Sequence, residues 1–304
     1  MRYEEFKERL VKAVKERYGK TVQITIERVL KNNSYSYDGL KITKSPKEKA
    51  IPLISINRMY EKCREEELEL GQCVEQVCRI REKEERNHPM SEFIQKLLKW
   101  EKVKENIYPV LVLTDKNEEF LKPLAVTEFL DMSVYYRICE NTETDGQYSI
   151  NIKQAMLENY GITIGQLHEQ AVKNLEKENY QFISMDSYAR ALIQFMGLEE
   201  KKRMEDKEYT PMYILSNDSK IYGASGILDK ELVRDFAGNK NYFVILSCVH
   251  EAIFVADDGK KDKEELNKII EDVYTNAVSD EEQLSKHFYY YDGTTGEISM
   301  DDMY

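Results

Sequence analysis

The residues with the most chemical potential sit together at Cys248–Val249–His250–Glu251, between two apolar runs. On a strand, side chains two residues apart face the same side. Cys248 and His250 would then form a thiolate–imidazole pair, the nucleophile and base of a hydrolase or transferase, with Glu251 alongside. The competing reading is a polar turn whose His and Glu satisfy backbone groups, and it is preferred, because no residue elsewhere can be assigned to orient the imidazole.

The other reactive side chains are scattered. His168–Glu169 is not part of an HExxH motif and reads as a boundary position on a helix. His88 precedes a proline and His287 opens the last strand, so the histidines form no metal-ligand spacing. The cysteines are Cys63, Cys73, Cys78, Cys139 and Cys248, an odd number with no CxxC, which predicts reduced thiols and neither a disulfide framework nor a zinc site. Asp257–Asp258 could bind a divalent ion but read better as a solvated turn, and Asp229 and Asp262 read as helix N-caps. Neither GxxxxGK[ST] nor GxGxxG occurs. The run Gly223–Ala224–Ser225–Gly226 falls one residue short of GxSxG and suits close packing of a strand and a helix. No cofactor and no metal are expected.

Charge narrows the partners. The net charge of −12 is unevenly spread, +5 over residues 1–106 and −17 over residues 107–304. An acidic body repels phosphate backbones, which disfavours nucleic acid. No stretch approaches the roughly 18 apolar residues of a membrane span, and the charged N-terminus lacks a signal sequence, so a cytoplasmic protein is expected. Tyrosine is the compositional oddity, 21 against a single Trp. Tyr135–Tyr136 and Tyr289–Tyr290–Tyr291 fall on expected strands, where alternate rings would face outward as a surface for a protein partner. Core and edge packing of the same rings is the preferred reading.

These side chains must be placed by an α+β scaffold. Tyr3, Phe6, Leu10, Val14 and Tyr18 recur at helical spacing, predicting a helix over 3–18 that Gly19 ends. Alternation predicts strands at 21–29, 40–43 and 51–56, followed by helix over 58–86 broken near Gly71. The order then restarts. A helix is expected at 91–105, strands at 108–114, 124–138 and 148–152, and helices at 153–160 and 164–178, the last opened by a Thr163–Gln166 capping box. At an offset of 94, Ser55–Ile56–Asn57 matches Ser149–Ile150–Asn151, Gly71–Gln72 matches Gly165–Gln166, Glu75–Gln76 matches Glu169–Gln170, and Glu82–Lys83–Glu84 matches Glu176–Lys177–Glu178. This reads as an internal repeat. A third passage follows, with a helix at 186–197, a charged linker at 199–208, strands at 211–216, 242–247 and 251–256, a helix from Asp262 to 278 and a hairpin around Asp292–Gly296. The expectation is about three repeated units (1–88, 89–184 and a diverged 185–304), each a small, mainly antiparallel sheet with helices on one face.

Several phrases carry a family resemblance: YEEFKERL and YDGLKI near the N-terminus, then PMYILSND, IYGASGILDKELV, NYFVILSCVHEAIFVADD and YYYDG. Together they resemble an uncharacterised domain-of-unknown-function family of anaerobic gut bacteria, over most of the chain. That family's pattern has a Pro-Ser-Ser run before the His-Glu dipeptide, where Leu246–Ser247–Cys248 stands here, so no obligatory serine is implied. The resemblance implies no activity. The function expected is that of a cytoplasmic, non-enzymatic interaction or regulatory protein, with a hydrolase or transferase near Cys248, His250 and Glu251 as the alternative. The oligomeric state is left open.

Overall fold

The computed structural model describes residues 1–19, 21–46, 48, 51–65, 67–87, 89–141, 147–187, 211–259 and 278–300. His88, the linker at 199–208, most of the helix expected at 186–197 and the helix expected from Asp262 lie outside the described residues. The chain is α+β with three antiparallel sheets. It divides into two compact units, one of residues 1–103 with 140–148, the other of 104–139 with 149–304.

In the first unit, α1 (Tyr3–Tyr18) buries Phe6, Leu10 and Val14, the stripe its spacing predicts. Next come β1 (Gln23–Leu30), β2 (Ser36–Thr43) and the short β3 (Ile54–Ser55), hydrogen-bonded in that order. The β1–β2 pairing sets Ile24 opposite Ile42 and Ile26 opposite Leu40, so one sheet face is apolar. Strand β2 begins four residues earlier than expected, because a tight turn at Asn32–Ser34 brings polar Ser36 and Asp38 into the ladder. Helices α2 (Asn57–Arg64) and α3 (Leu70–Asn87) complete the core with Met59, Cys73 and Val77. Buried Arg81 donates from Nε to the Ile42 carbonyl and from Nη2 to Glu48 at 2.5 Å, so its charge is paired. Helix α4 (Pro89–Lys96) follows, and α5 (Trp100–Val103) ends the first segment of this unit.

The second unit holds two sheets. The smaller comprises β4 (Ile107–Leu113), β5 (Val126–Phe129), β6 (Met132–Asn141) and β7 (Gln147–Asn151), with β4 and β5 flanking β6 and β7 also pairing with it. Residues 124–138, expected as one strand, fold back on themselves at Leu130–Asp131. Leu130 sits at φ 57°, a conformation more often given to Gly or Asn, so the turn has no composition signal. Helix α6 (Glu118–Leu121) links β4 to β5, while α7 (Gln154–Tyr160) and α8 (Ile164–Asn174) follow β7. The expected capping box is present: Thr163 Oγ1 accepts from Gln166 N–H, and Gln166 accepts from Thr163 N–H. At the other end, Asn174 Nδ2 donates to the carbonyls of Lys104 and Ile107, fastening α8 to the start of β4.

The larger sheet adds β8 (Gln181–Ser184), β9 (Met212–Ser216), β10 (Tyr242–Cys248), β11 (Glu251–Ala256), β12 (Phe288–Asp292) and β13 (Glu297–Met300), in the order β13-β12-β10-β11-β9-β8. Strand β8 pairs with β9, so this sheet begins before residue 185. Every residue of the central β10 is buried. On one face lie Phe243, Ile245, Ile253, Val255 and Phe288. Helix α9 (Lys230–Ala237), capped by Asp229 as expected, sends Phe236 into an aromatic cluster with Phe182, Tyr213, Tyr242 and Phe254. Phe182 and Phe236 stack with centroids 3.6 Å apart. Full burial of such a ring contributes about 1.5–3 kcal/mol, reached here by Phe254 and Tyr242 and only in part by half-buried Phe182, Tyr213 and Phe236. The β12–β13 hairpin turns at Gly293–Gly296 as expected.

The preferred core packing of the tyrosines is what the structure shows, and the alternative of an outward-facing tyrosine surface for a partner is corrected. Tyr135, Tyr136, Tyr289 and Tyr291 are buried, and half-buried Tyr290 donates its hydroxyl to Asp257. An interior phenol is tolerated where its polar tip reaches a neighbour while the ring packs; the buried Tyr291 hydroxyl has no hydrogen-bond partner among the described residues. Tyr136 bonds with Thr127 and His168, and Tyr289 donates to Asp131.

Candidate functional site

Cys248 closes β10, and Glu251, opposite it in the register, opens β11. Val249 and His250 are therefore a two-residue hairpin turn, and the alternation that would put Cys248 and His250 on one strand face ends before it reaches His250. The Cys248 sulfur instead meets the backbone N–H groups of His250 and Glu251. Burial pushes its thiol pKa up, which keeps it protonated and a poor nucleophile at neutral pH.

The His250 ring is committed elsewhere. Its Nδ1 accepts from Tyr222 N–H at 3.3 Å, so in the neutral ring Nε2 carries the proton and donates to Glu282 at 3.2 Å. The Ser279 hydroxyl also donates to Glu282, and chiefly for that reason the Glu282 carboxyl titrates below its ordinary range. Glu251 is pushed upward by burial. The imidazole thus ties the turn to residues 279–282 and to the loop before Gly223.

That loop is the part of this region the sequence reading passed over. Asn217 is its hub: Nδ2 donates to Glu178 and to the Ile221 carbonyl, while Oδ1 accepts from Ser219 and from Ile221 N–H. Lys220 and Tyr222 both lie in the left-handed region, at φ 53° and 56°. Non-glycine residues held there store local strain that the surrounding bonds must outweigh. Glu178 is pushed upward by burial. The Arg137 guanidinium lies 4.6 Å from the Tyr222 ring centre, in cation–π geometry. Ile221 projects from the loop 55% exposed. The only advance signal was the turn-forming run Asn217-Asp218-Ser219.

Immediately after it, Gly223–Leu228 forms a buried 310 turn. A β-carbon on Gly223 would stand 2.4 Å from both the His250 carbonyl and Ser216 Oγ, and one on Gly226 would stand 2.5 Å from the Tyr180 ring. Gly223 therefore admits the His250 backbone at close range, in keeping with the packing reading of GASG, while Gly226 makes room for the Tyr180 ring and not for backbone.

The remaining candidates also have partners. His168 on α8 is half-buried with Nδ1 2.9 Å from the Tyr136 hydroxyl, and burial holds its pKa down. His287 Nδ1 meets Asp131, which also accepts from Ser285 and Tyr289, the last at 2.5 Å. Asp257 caps its own turn through Gly259 N–H. No group of three metal-ligating side chains occurs among the described residues, and no helix among them is long and apolar enough to cross a membrane.

The region is that of an antiparallel α+β protein whose polar residues brace turns and loops. In the comparison with family models, residues 3–293 match the family described as "Family of unknown function (DUF5688)", and the chain belongs to that family. No curated protein and no solved structure matches the chain.

Proposed function

We propose that this chain is a non-enzymatic interaction protein that engages a protein partner through the loop Asn217–Tyr222. The observation that carries the reading is an exposed Ile221 on a loop braced internally by Asn217. A loop already held in one conformation loses little entropy on binding, so a small apolar anchor yields more affinity. An anchor flanked in the chain by exposed Lys220 and by Tyr222, over whose ring Arg137 lies, matches the layout of an interface hot spot within a polar rim. The buried Cys248 thiol and the doubly bonded His250 ring count against the hydrolase or transferase alternative.

A cytoplasmic setting fits five cysteines that are all free thiols. The first two passages of the chain are read as copies. Helix α3 starts at Leu70 and α8 at Ile164, the same offset of 94 as the sequence matches, and each follows a short strand and one helix.

The test is affinity capture from the source organism with the full chain and with Ile221→Asp. Proteins retained by the wild type and lost at least tenfold with a folded Ile221→Asp chain support the reading. An identical capture profile for the two chains sinks it, as does turnover of an ester or thioester library that Cys248→Ser abolishes.

A further inference from the structure

We infer that Cys63 and Cys73 form a reversible thiol–disulfide couple in the first unit, a modification site that takes a low-molecular-weight disulfide such as oxidised glutathione. Their sulfurs lie 3.1 Å apart, one on α2 and the other on α3. A disulfide bond is about 2.05 Å long, so roughly 1 Å of approach closes it. The connection between the helices is short and internally bonded. Glu67 and Leu68 N–H donate to the Lys62 carbonyl, and Glu69 N–H donates to Gln72 Oε1 ahead of α3. The two thiols are therefore held together by the backbone before any oxidant arrives.

Packing alone does not call for sulfur here. At the offset of 94, the residues matching Cys63 and Cys73 are Leu157 and Leu167, and both are buried. Leucine serves where only apolar contact is needed; two thiols in contact add redox chemistry.

Accessibility orders the steps. Cys63 is half-buried and meets the oxidant first, whereas Cys73 is fully buried. Burial, then the Cys63 sulfur, pushes the Cys73 thiol up to about 12, so it enters the reaction as the second thiol. Cys63 loses its proton to solvent and attacks one sulfur of the glutathione disulfide, releasing one glutathione thiolate. Cys73 then gives up its proton and attacks the Cys63 sulfur of the mixed disulfide, releasing the second. Two protein thiols are oxidised to one disulfide, one glutathione disulfide is reduced to two glutathiones, and the protein loses two hydrogens.

The test is glutathione exchange on the reduced full-length protein without air, followed by alkylation of free thiols and peptide mass mapping. The expected product is a Cys63–Cys73 cross-link lacking two hydrogens, formed at least tenfold faster than any change at Cys78, Cys139 or Cys248. In Cys73→Ser, a glutathione adduct should persist at Cys63; in Cys63→Ser, Cys73 should stay free. A stable adduct at Cys63 in the wild type, with Cys73 still alkylated, overturns the proposal. So does scrambled pairing, or a pair untouched in fully oxidising buffer. The wild-type map decides the matter even where a variant fails to fold.

Discussion

Two cysteine environments in this chain invert the expectation from spacing. Cys248 and His250 are two residues apart, yet the ring is taken up by Tyr222 and Glu282 while the sulfur meets backbone N–H groups. Cys63 and Cys73 are ten residues apart, yet their sulfurs are in contact. In the first case a hairpin turn ends the strand alternation before it brings the side chains together. In the second, a short helix–turn–helix folds distant positions onto one another. Reactivity therefore follows where the chain reverses, and sequence distance is a poor guide to it.

That comparison breaks most readily at the Cys248 turn's tightest point. Gly223→Ala places a carbon against the His250 carbonyl and should cost about 3 kcal/mol, the upper end of the usual overpacking range, read by urea unfolding. A tolerated alanine would mean the turn is looser than described. Next in size is the Cys63–Cys73 pair. Oxidation should stabilise the first unit by about 2–3 kcal/mol, a difference that either serine variant removes. Equal unfolding midpoints for the oxidised and reduced chains would refute this. His250→Ala leaves the Tyr222 N–H without its acceptor and should cost about 1–3 kcal/mol, with no change in the slow alkylation of Cys248. A marked change in Cys248 alkylation would restore a thiol–imidazole pair.

The smallest effect is the acid dependence of Glu282. Its folded pKa lies below the ordinary value, first because Ser279 donates to it, so the unfolded chain binds the proton more readily. This stability is present above the ordinary carboxylate range and is lost as pH falls through the folded pKa. The side chain is 44% exposed, so after solvent screening the contribution is at most about 1 kcal/mol. Glu282→Gln should flatten the acid slope of the unfolding midpoint, and an unchanged slope would remove Glu282 from the brace.

Much of the scaffold was legible before the fold. The α1 stripe, the Thr163 capping box, the Asp229 cap and the closing hairpin each depend on near neighbours in sequence. The β5–β6 reversal was not legible, because Leu130 carries no turn signal and is held at positive φ by its context. Asn217 escaped notice for a related reason: its partners include Glu178, 39 residues away. Core packing of the tyrosines could be preferred but not fixed in advance, because period two tells which rings share a face and not which face is covered.

The sequence by itself determined the α+β class, the absence of the common phosphate and metal motifs, and the local starts and stops of helices, since these follow from periodicity and caps within a few residues. The tertiary structure alone decided that His250 braces a turn, that Tyr289 and Tyr291 are interior, and that Cys63 meets Cys73. Each depends on contacts between segments far apart in the chain, where burial and hydrogen-bond satisfaction outweigh local preference.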